Sequence, residues 1–193
     1  MDLGGGTGFL LSQLASLGIG PDVALVDVDC SETQLALTGE DGISRVHASL
    51  EALRRRDIVA SDKRIFFLMR SVLHYAGESG LSPLLRHLRE QAREGEFFVH
   101  QTASFDNEEE AACLNALYRH MGTRKWYPMV NDLKRRLEES GWRVTATVPA
   151  PALPLSSDDL ARRYALDAND VSRIRDLMAR GFGGMNGVCQ ITP

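Results

Sequence analysis

Five residues that can meet a ligand stand together at the start of this 193-residue chain: Asp2, Gly4, Gly5, Gly6 and Gly8, in Met-Asp-Leu-Gly-Gly-Gly-Thr-Gly. Glycine at every second position lets a strand turn sharply into a helix and brings bare main chain against a ligand, and Asp2 adds an acceptor beside it. Phe9 stands where the Gly-x-Gly-x-x-Gly fingerprint needs its third glycine, which argues against NAD and FAD. Two more carboxylates, Asp27 and Asp29, close the apolar run VALVDVD, where a neighbouring strand end would meet the same ligand. His74 follows the apolar run Ile65 to Met69 and Arg70, and an imidazole with an ordinary pKa of about 6.5 can accept a proton near neutrality. The other reading of His74 is a residue that shapes a pocket or caps the next helix. His100 stands near the end of a further strand as a pocket-lining candidate or a satisfied structural residue. In Arg124-Lys125-Trp126-Tyr127, Trp126 and Tyr127 could cover a flat substrate while the cations hold an acidic group, or could anchor their loop to the core.

The elements that must position these groups alternate between strand and helix patterns, which implies a parallel sheet covered on both faces. A helix over Phe9 to Leu17 carries Leu10, Leu11 and Leu14 and stops at Gly18. Strands are expected at 23–29, 43–50 and Ile65–Met69, a helix from Leu81 to Arg93 ended by Gly95, and a fifth strand in EFFVHQTAS. Asp106 to Glu110 form a solvated first helical turn, favoured by the helix dipole. Pro128 opens the helix MVNDLKRRLEESG, and WRVTATV, residues 142–148, reads as a sixth strand. A Pro-rich connection, PAPALPLSS, leads to a helical stretch with its N-cap at Ser157, and 149–186 reads as a helical insertion or lid on a single domain spanning 1–193.

With 44% hydrophobic and 25% charged residues the chain can bury a core within one domain. A net charge of −4 leaves no broad basic footprint, which disfavours nucleic acid as an obligate partner and favours a small molecule. Cys30, Cys113 and Cys189 are widely spaced and form no Cys-x-x-Cys pair, which fits a reduced compartment and offers no zinc site. Without a signal-peptide pattern or a long apolar run, the expected location is cytoplasmic, away from membranes.

The opening turn resembles motif I of the class I S-adenosylmethionine (SAM)-dependent methyltransferases, Asp-x-Gly-x-Gly-x-Gly. DCSETQLA resembles that family's Asp-x-Ser-x-x-x-Leu helix start, and MRSVLHY the Met-Lys-x-x-x-His stretch of its small-molecule O-methyltransferases. The resemblance covers roughly residues 1–148. It implies an α/β fold, a doubly wound, mostly parallel, Rossmann-like sheet, with a short or missing seventh strand supplied by GVCQI at 187–191. Because the chain begins inside its first strand, it reads as a fragment or a minimal version of the domain, without the N-terminal helices.

The resemblance further implies S-adenosyl-L-methionine as cofactor, cradled by Asp2, Gly4, Gly5, Gly6 and Gly8. An acid binds the ribose hydroxyls: Asp27 suits a strand ending at Val26, and Asp29 better fits the helix start that follows. Ser49 stands where many members carry an acid for the adenine amino group, so the ring would be held by the Ser49 hydroxyl, by backbone or by Leu50. Arg70 takes the lysine position of the motif and His74 that of the general base, although Tyr75 and Ala76 follow where the family has Asp and Trp. Tyr75, His100, Trp126 and Tyr127 are then the substrate-binding candidates. The expected reaction is methyl transfer to an oxygen, less readily a nitrogen, of a small molecule, with no metal and with a homodimer as one arrangement. Two alternatives stand beside it: a SAM-binding protein that transfers no methyl group, and a methyltransferase acting on RNA or protein.

Overall fold

The apolar runs of the first hundred residues form β1 (Asp2–Leu3), β2 (Leu25–Asp29), β3 (Ile43–His47), β4 (Phe66–Arg70) and β5 (Phe97–Gln101), paired in the order β3-β2-β1-β4-β5. All four pairings are parallel, so each connection must cross over the sheet. The computed structural model describes residues 1–19, 22–39, 42–150, 153–182 and 188–191. Its chain divides into one unit of Met1–Val72 with Pro83–Thr102 and another of Leu73–Ser82 with Ala103–Pro193.

In the first unit, β1 leads into α1 (Phe9–Ser16), and β2 into the short α2 (Glu32–Leu35), capped by the Ser31 hydroxyl. α3 (Gly77–Gln91) precedes β5 and contributes its residues from Pro83 onward. Four of the five β2 residues are buried, as the near-continuous apolar run requires of a central parallel strand. Leu3, Leu11, Val28, Phe67, Met69, Leu85 and Leu88 make the core. β3 ends at His47, three residues before the expected boundary, and Ala48 donates its N–H back to the Asp29 carbonyl at 3.1 Å.

A half-buried ion pair stands at the amino ends of β4 and β5. Arg55, in a 3-10 turn over Arg55–Asp57, reaches Glu96 at 2.7 Å, and Glu96 also accepts the N–H groups of Ile65 and Arg93, each at 2.8 Å. Burial would raise the Glu96 carboxyl, but the Arg55 bond and the two backbone donors hold it down to about 2.

The second unit contains α4 (Glu108–His120), α5 (Val130–Glu139), β6 (Leu153–Ser156), α6 (Ser157–Tyr164), α7 (Ala168–Phe182) and β7 (Val188–Ile191). Its core joins Phe105, Leu114, Leu117, Tyr118 and Tyr127 to Leu155, Leu160, Ile174 and Met178. The Cys113 thiol donates to the Leu177 carbonyl at 3.2 Å, and a Cβ on Gly181 would lie 2.1 Å from its sulfur, so α7 sits on α4 at a distance only glycine allows. Asn107 caps α4 through the N–H groups of Glu109 and Glu110, and the acidic first turn forms as expected.

Three expectations need correction here. Residues 142–148 belong to neither sheet: only Trp142 and Val144 are half-buried and the rest exposed, so this segment has no buried face to hold it in a ladder. The strand forms later, as β6 within the Pro-rich connection, and pairs antiparallel with the short β7 from Leu153↔Ile191 to Ser156↔Val188. Because β6 runs to Ser156, that residue and not Ser157 is extended and caps α6, through Asp158 N–H at 3.2 Å and Asp159 N–H at 3.5 Å. The expected single helical stretch breaks at Ala165, in the left-handed region at φ 51°, into α6 and α7.

Candidate functional site

In the first unit the chain leaves β1 by donating the Gly4 N–H to the Val28 carbonyl at 2.7 Å. It then turns through Gly4, Gly6 and Gly8, all with φ between 65° and 73°. Beyond the positive φ, space requires glycine at Gly4, where a Cβ would stand 2.6 Å from a Val72 methyl. Gly5 is confined differently: a Cβ there would lie 2.3 Å from Asp27 Oδ1 and 2.8 Å from Asp2 Oδ2. The turn therefore rests directly on two carboxylates that the register Asp2↔Asp27 sets side by side.

Asp29 binds the turn to α2. One of its oxygens accepts the Gly6 N–H at 3.0 Å and the other the Ser31 N–H at 2.8 Å, which orients the carboxylate at the carboxyl end of β2. Each carboxylate oxygen retains acceptor capacity for a ligand hydroxyl. Asp27 lies deeper, fully buried, and accepts the Thr38 hydroxyl on Oδ2 at 3.4 Å. Among the described residues neither Asp2 Oδ1 nor Asp27 Oδ1 has a hydrogen-bond partner.

Burial pushes the Asp2 carboxyl up to about 6, against the Met1 amino group and Arg70 and with the help of Asp29. Burial does the same to Asp27, to about 6, reinforced by Asp2 and Asp29 and opposed by Thr38 and Arg45. Arg70 is exposed at the end of β4 with its guanidinium 5.0 Å above the Phe9 ring. Ser71 follows in the left-handed region at φ 58°, its N–H held by the Gln101 carbonyl at 2.9 Å. Ser49 is exposed and Leu50 half-buried in the turn after β3.

His100 also belongs to the first unit. Its ring packs on Phe98 at 5.1 Å, Nδ1 meets the Thr102 hydroxyl at 3.1 Å, and burial pushes it down to about 4.

The remaining predicted residues, His74, Tyr75, Trp126 and Tyr127, come together in the second unit. His74, in a 3-10 turn over Leu73–Ala76, is buried and stacks on Tyr127 at 5.0 Å and 15°, with Tyr75 4.3 Å away on a tilted plane. Its carbonyl accepts the Trp126 N–H at 3.0 Å. Burial, then Lys125 and Arg163, push the imidazole down to about 4, so it is neutral at pH 7. Tyr127 is a core residue, clamped by Asn115 through N–H to Oδ1 at 2.8 Å and Nδ2 to carbonyl at 2.9 Å. Arg136 covers the Trp126 ring at 4.9 Å. Trp126 and Tyr127 thus have partners within their own unit, and Tyr75 is the more exposed ring at 55%.

Sequence reasoning missed Thr38 beneath the glycine turn, Tyr118 against Tyr127, and Tyr164 against Tyr118. The composition carried a faint signal: the chain has four tyrosines, and all four gather in this one cluster. A cavity of about 430 Å³ in the first unit, lined by Arg54, Arg55, Arg56 and Arg93, includes none of the predicted site residues. Among the described residues no group of three His, Cys, Asp or Glu side chains is placed to hold a metal, and no helix is long and apolar enough to cross a membrane.

No protein-family model and no curated protein matches the sequence. Solved structures do match the fold. The YcgJ protein of Bacillus subtilis aligns over 99% of this chain and 85% of its own, with a TM-score of 0.72 at 15% identity. A Bacillus halodurans protein named for an inferred methyltransferase activity aligns over 99% and 86%, with a TM-score of 0.74 at 15% identity. An S-adenosylmethionine-dependent methyltransferase of Mesorhizobium loti aligns over 93% and 83%, with a TM-score of 0.53 at 16% identity.

Proposed function

We propose that this chain, whose fold is the Rossmann-like class I methyltransferase fold, binds S-adenosylmethionine on its glycine turn and transfers the methyl group to an oxygen of a small-molecule acceptor. The observation that carries this reading is the turn itself. Three positive-φ glycines follow β1 at the point where strand order reverses between β1 and β4, locked by Asp29 and floored by buried carboxylates with unsatisfied oxygens. In open parallel sheets that switch point is where ligands bind. The bare backbone and the oriented Asp29 suit a cofactor with an amino-acid end and a ribose, and the Mesorhizobium loti neighbour's name supports SAM as its identity.

In this reading the backbone of Gly4 to Gly8 contacts the methionine portion, with Asp2 and Asp27 beneath it. Asp29 accepts from the ribose hydroxyls, Ser49 and Leu50 border the adenine, and Arg70 guards the turn. When bound, the cofactor supplies an already activated methyl carbon on a sulfonium, so the protein's main task is alignment. His74 is neutral at pH 7 and can take the proton released by an acceptor hydroxyl. With its basicity lowered by burial and two cations, it works best when the acceptor itself brings negative charge. The acidic composition supports a small acceptor over a polyanion.

Calorimetric titration tests this reading. S-adenosylhomocysteine and SAM should bind the folded protein while NAD does not. Uptake of NAD with neither sulfur nucleoside bound at millimolar concentration overturns it.

A further inference from the structure

Lys125 leaves a rigid strap. Its N–H is held by the Thr123 hydroxyl at 3.3 Å, the next N–H by the His74 carbonyl, and Tyr127 is clamped by Asn115. From there the ammonium reaches into the tyrosine cluster and donates to the Tyr164 hydroxyl at 2.7 Å. It lies 4.5 Å from the ring centre of Tyr75, 5.2 Å from Tyr118 and 5.4 Å from Tyr164. Arg163 adds a second cation, 5.9 Å from the outer ring. Among the described residues neither Lys125 nor Arg163 has a carboxylate within 4.0 Å, whereas the neighbouring Arg162 pairs with Asp159.

Aromatic faces alone compensate a half-buried ammonium only in part. Burial lowers the Lys125 pKa, with Tyr75 opposing and Arg163 assisting, so this charge sits where a counter-ion would stabilise it. An organic cation could also use such rings, but it would have to displace a tethered lysine beside an arginine of like charge. With Tyr164 and Tyr75 each engaging the ammonium, its remaining donor hydrogen suits a singly charged anion, and exposed Tyr75 leaves the cluster open to it.

We propose that Lys125 and Arg163, framed by Tyr75, Tyr118 and Tyr164, form a recognition site for the carboxylate of a small organic acid, which is the acceptor's class. Only the word acceptor rests on the methyl-transfer reading; the anion site stands on its own geometry.

Titration of the whole chain with benzoate, benzyl alcohol and benzylamine tests it, in the wild type, Lys125→Met and Lys125→Arg. Benzoate should bind the wild type, weaken by about tenfold or more in Lys125→Met and stay within about threefold in Lys125→Arg, while the neutral and cationic probes bind less tightly than benzoate. S-adenosylhomocysteine affinity, measured in parallel, should be the same in all three proteins. Equal benzoate binding in Lys125→Met, a preference for benzylamine, or no benzoate binding by the folded wild type overturns the anion site. Loss of S-adenosylhomocysteine binding with benzoate binding intact instead overturns the cofactor reading and leaves the anion site standing.

Discussion

Replacing Asp27 with asparagine should make the protein more stable at alkaline pH. Asp2 and Asp27 are register partners beneath Gly5, both buried, and each carboxyl is raised from 3.8 to about 6. A raised carboxyl binds its proton more tightly in the folded state, so its contribution is whole below pH 4 and is lost as pH rises through 6. A two-unit shift corresponds to about 3 kcal/mol for an isolated group. Because the two carboxylates share one repulsion, and Met1, Arg70 and Arg45 screen it, about 1–2 kcal/mol is the portion one substitution can recover. Asparagine can still accept the Thr38 hydroxyl and can turn its amide donor toward Asp2, which pairs an oxygen that now has no partner. Urea denaturation at pH 5 and pH 8, at one ionic strength, reads the effect: near equality at pH 5 and a variant about 1–2 kcal/mol more stable at pH 8. A variant no more stable than wild type at pH 8, with an unchanged pH slope, refutes the coupling.

Gly5→Ala drives a methyl group into Asp27 and Asp2 and should cost about 1–3 kcal/mol in urea denaturation while weakening S-adenosylhomocysteine binding. An unaltered midpoint would show that the turn has slack. Asp29→Ala removes the acceptor for two backbone donors, about 1.5–3 kcal/mol locally, and hydrogen exchange should show the Gly6 and Ser31 amides losing protection. Glu96→Gln weakens a half-buried, charge-assisted pair and should cost about 1.5–3 kcal/mol at pH 7. Since Glu96 is held down to about 2, its contribution is present above 4.5 and lost as pH falls through 2, so that limb of acid denaturation should vanish in the variant. His74→Gln should lower kcat by about 10²–10⁴-fold with cofactor affinity unchanged. In the wild type the acid limb of kcat should move toward pH 4 because His74 is pushed down that far, and near-normal kcat in the variant from pH 6 to 9 rejects the base role.

The apolar strand runs and the glycine turn were legible in the residues alone, because both are local patterns. The apolar runs ending in Asp29 and Arg70 can be buried only as central strands, and alternating glycines after Asp2 permit few backbone paths. The same patterning misplaced the sixth strand. WRVTATV has the residues for one, yet β6 formed at Leu153–Ser156, since a strand exists only where a partner ladder and a buried face are supplied. Tertiary structure alone divided the labour between Asp27 and Asp29. Two residues apart on one strand, they look equivalent in the sequence; in the fold one is sealed beneath Gly5 and the other holds the turn at the strand end. It also gathered Tyr75, Tyr118 and Tyr164 around Lys125 from three separate segments. Periodicity reports which face of an element is apolar, but not which distant face it meets, so a charge enclosed by rings from remote segments appears only once the chain has packed.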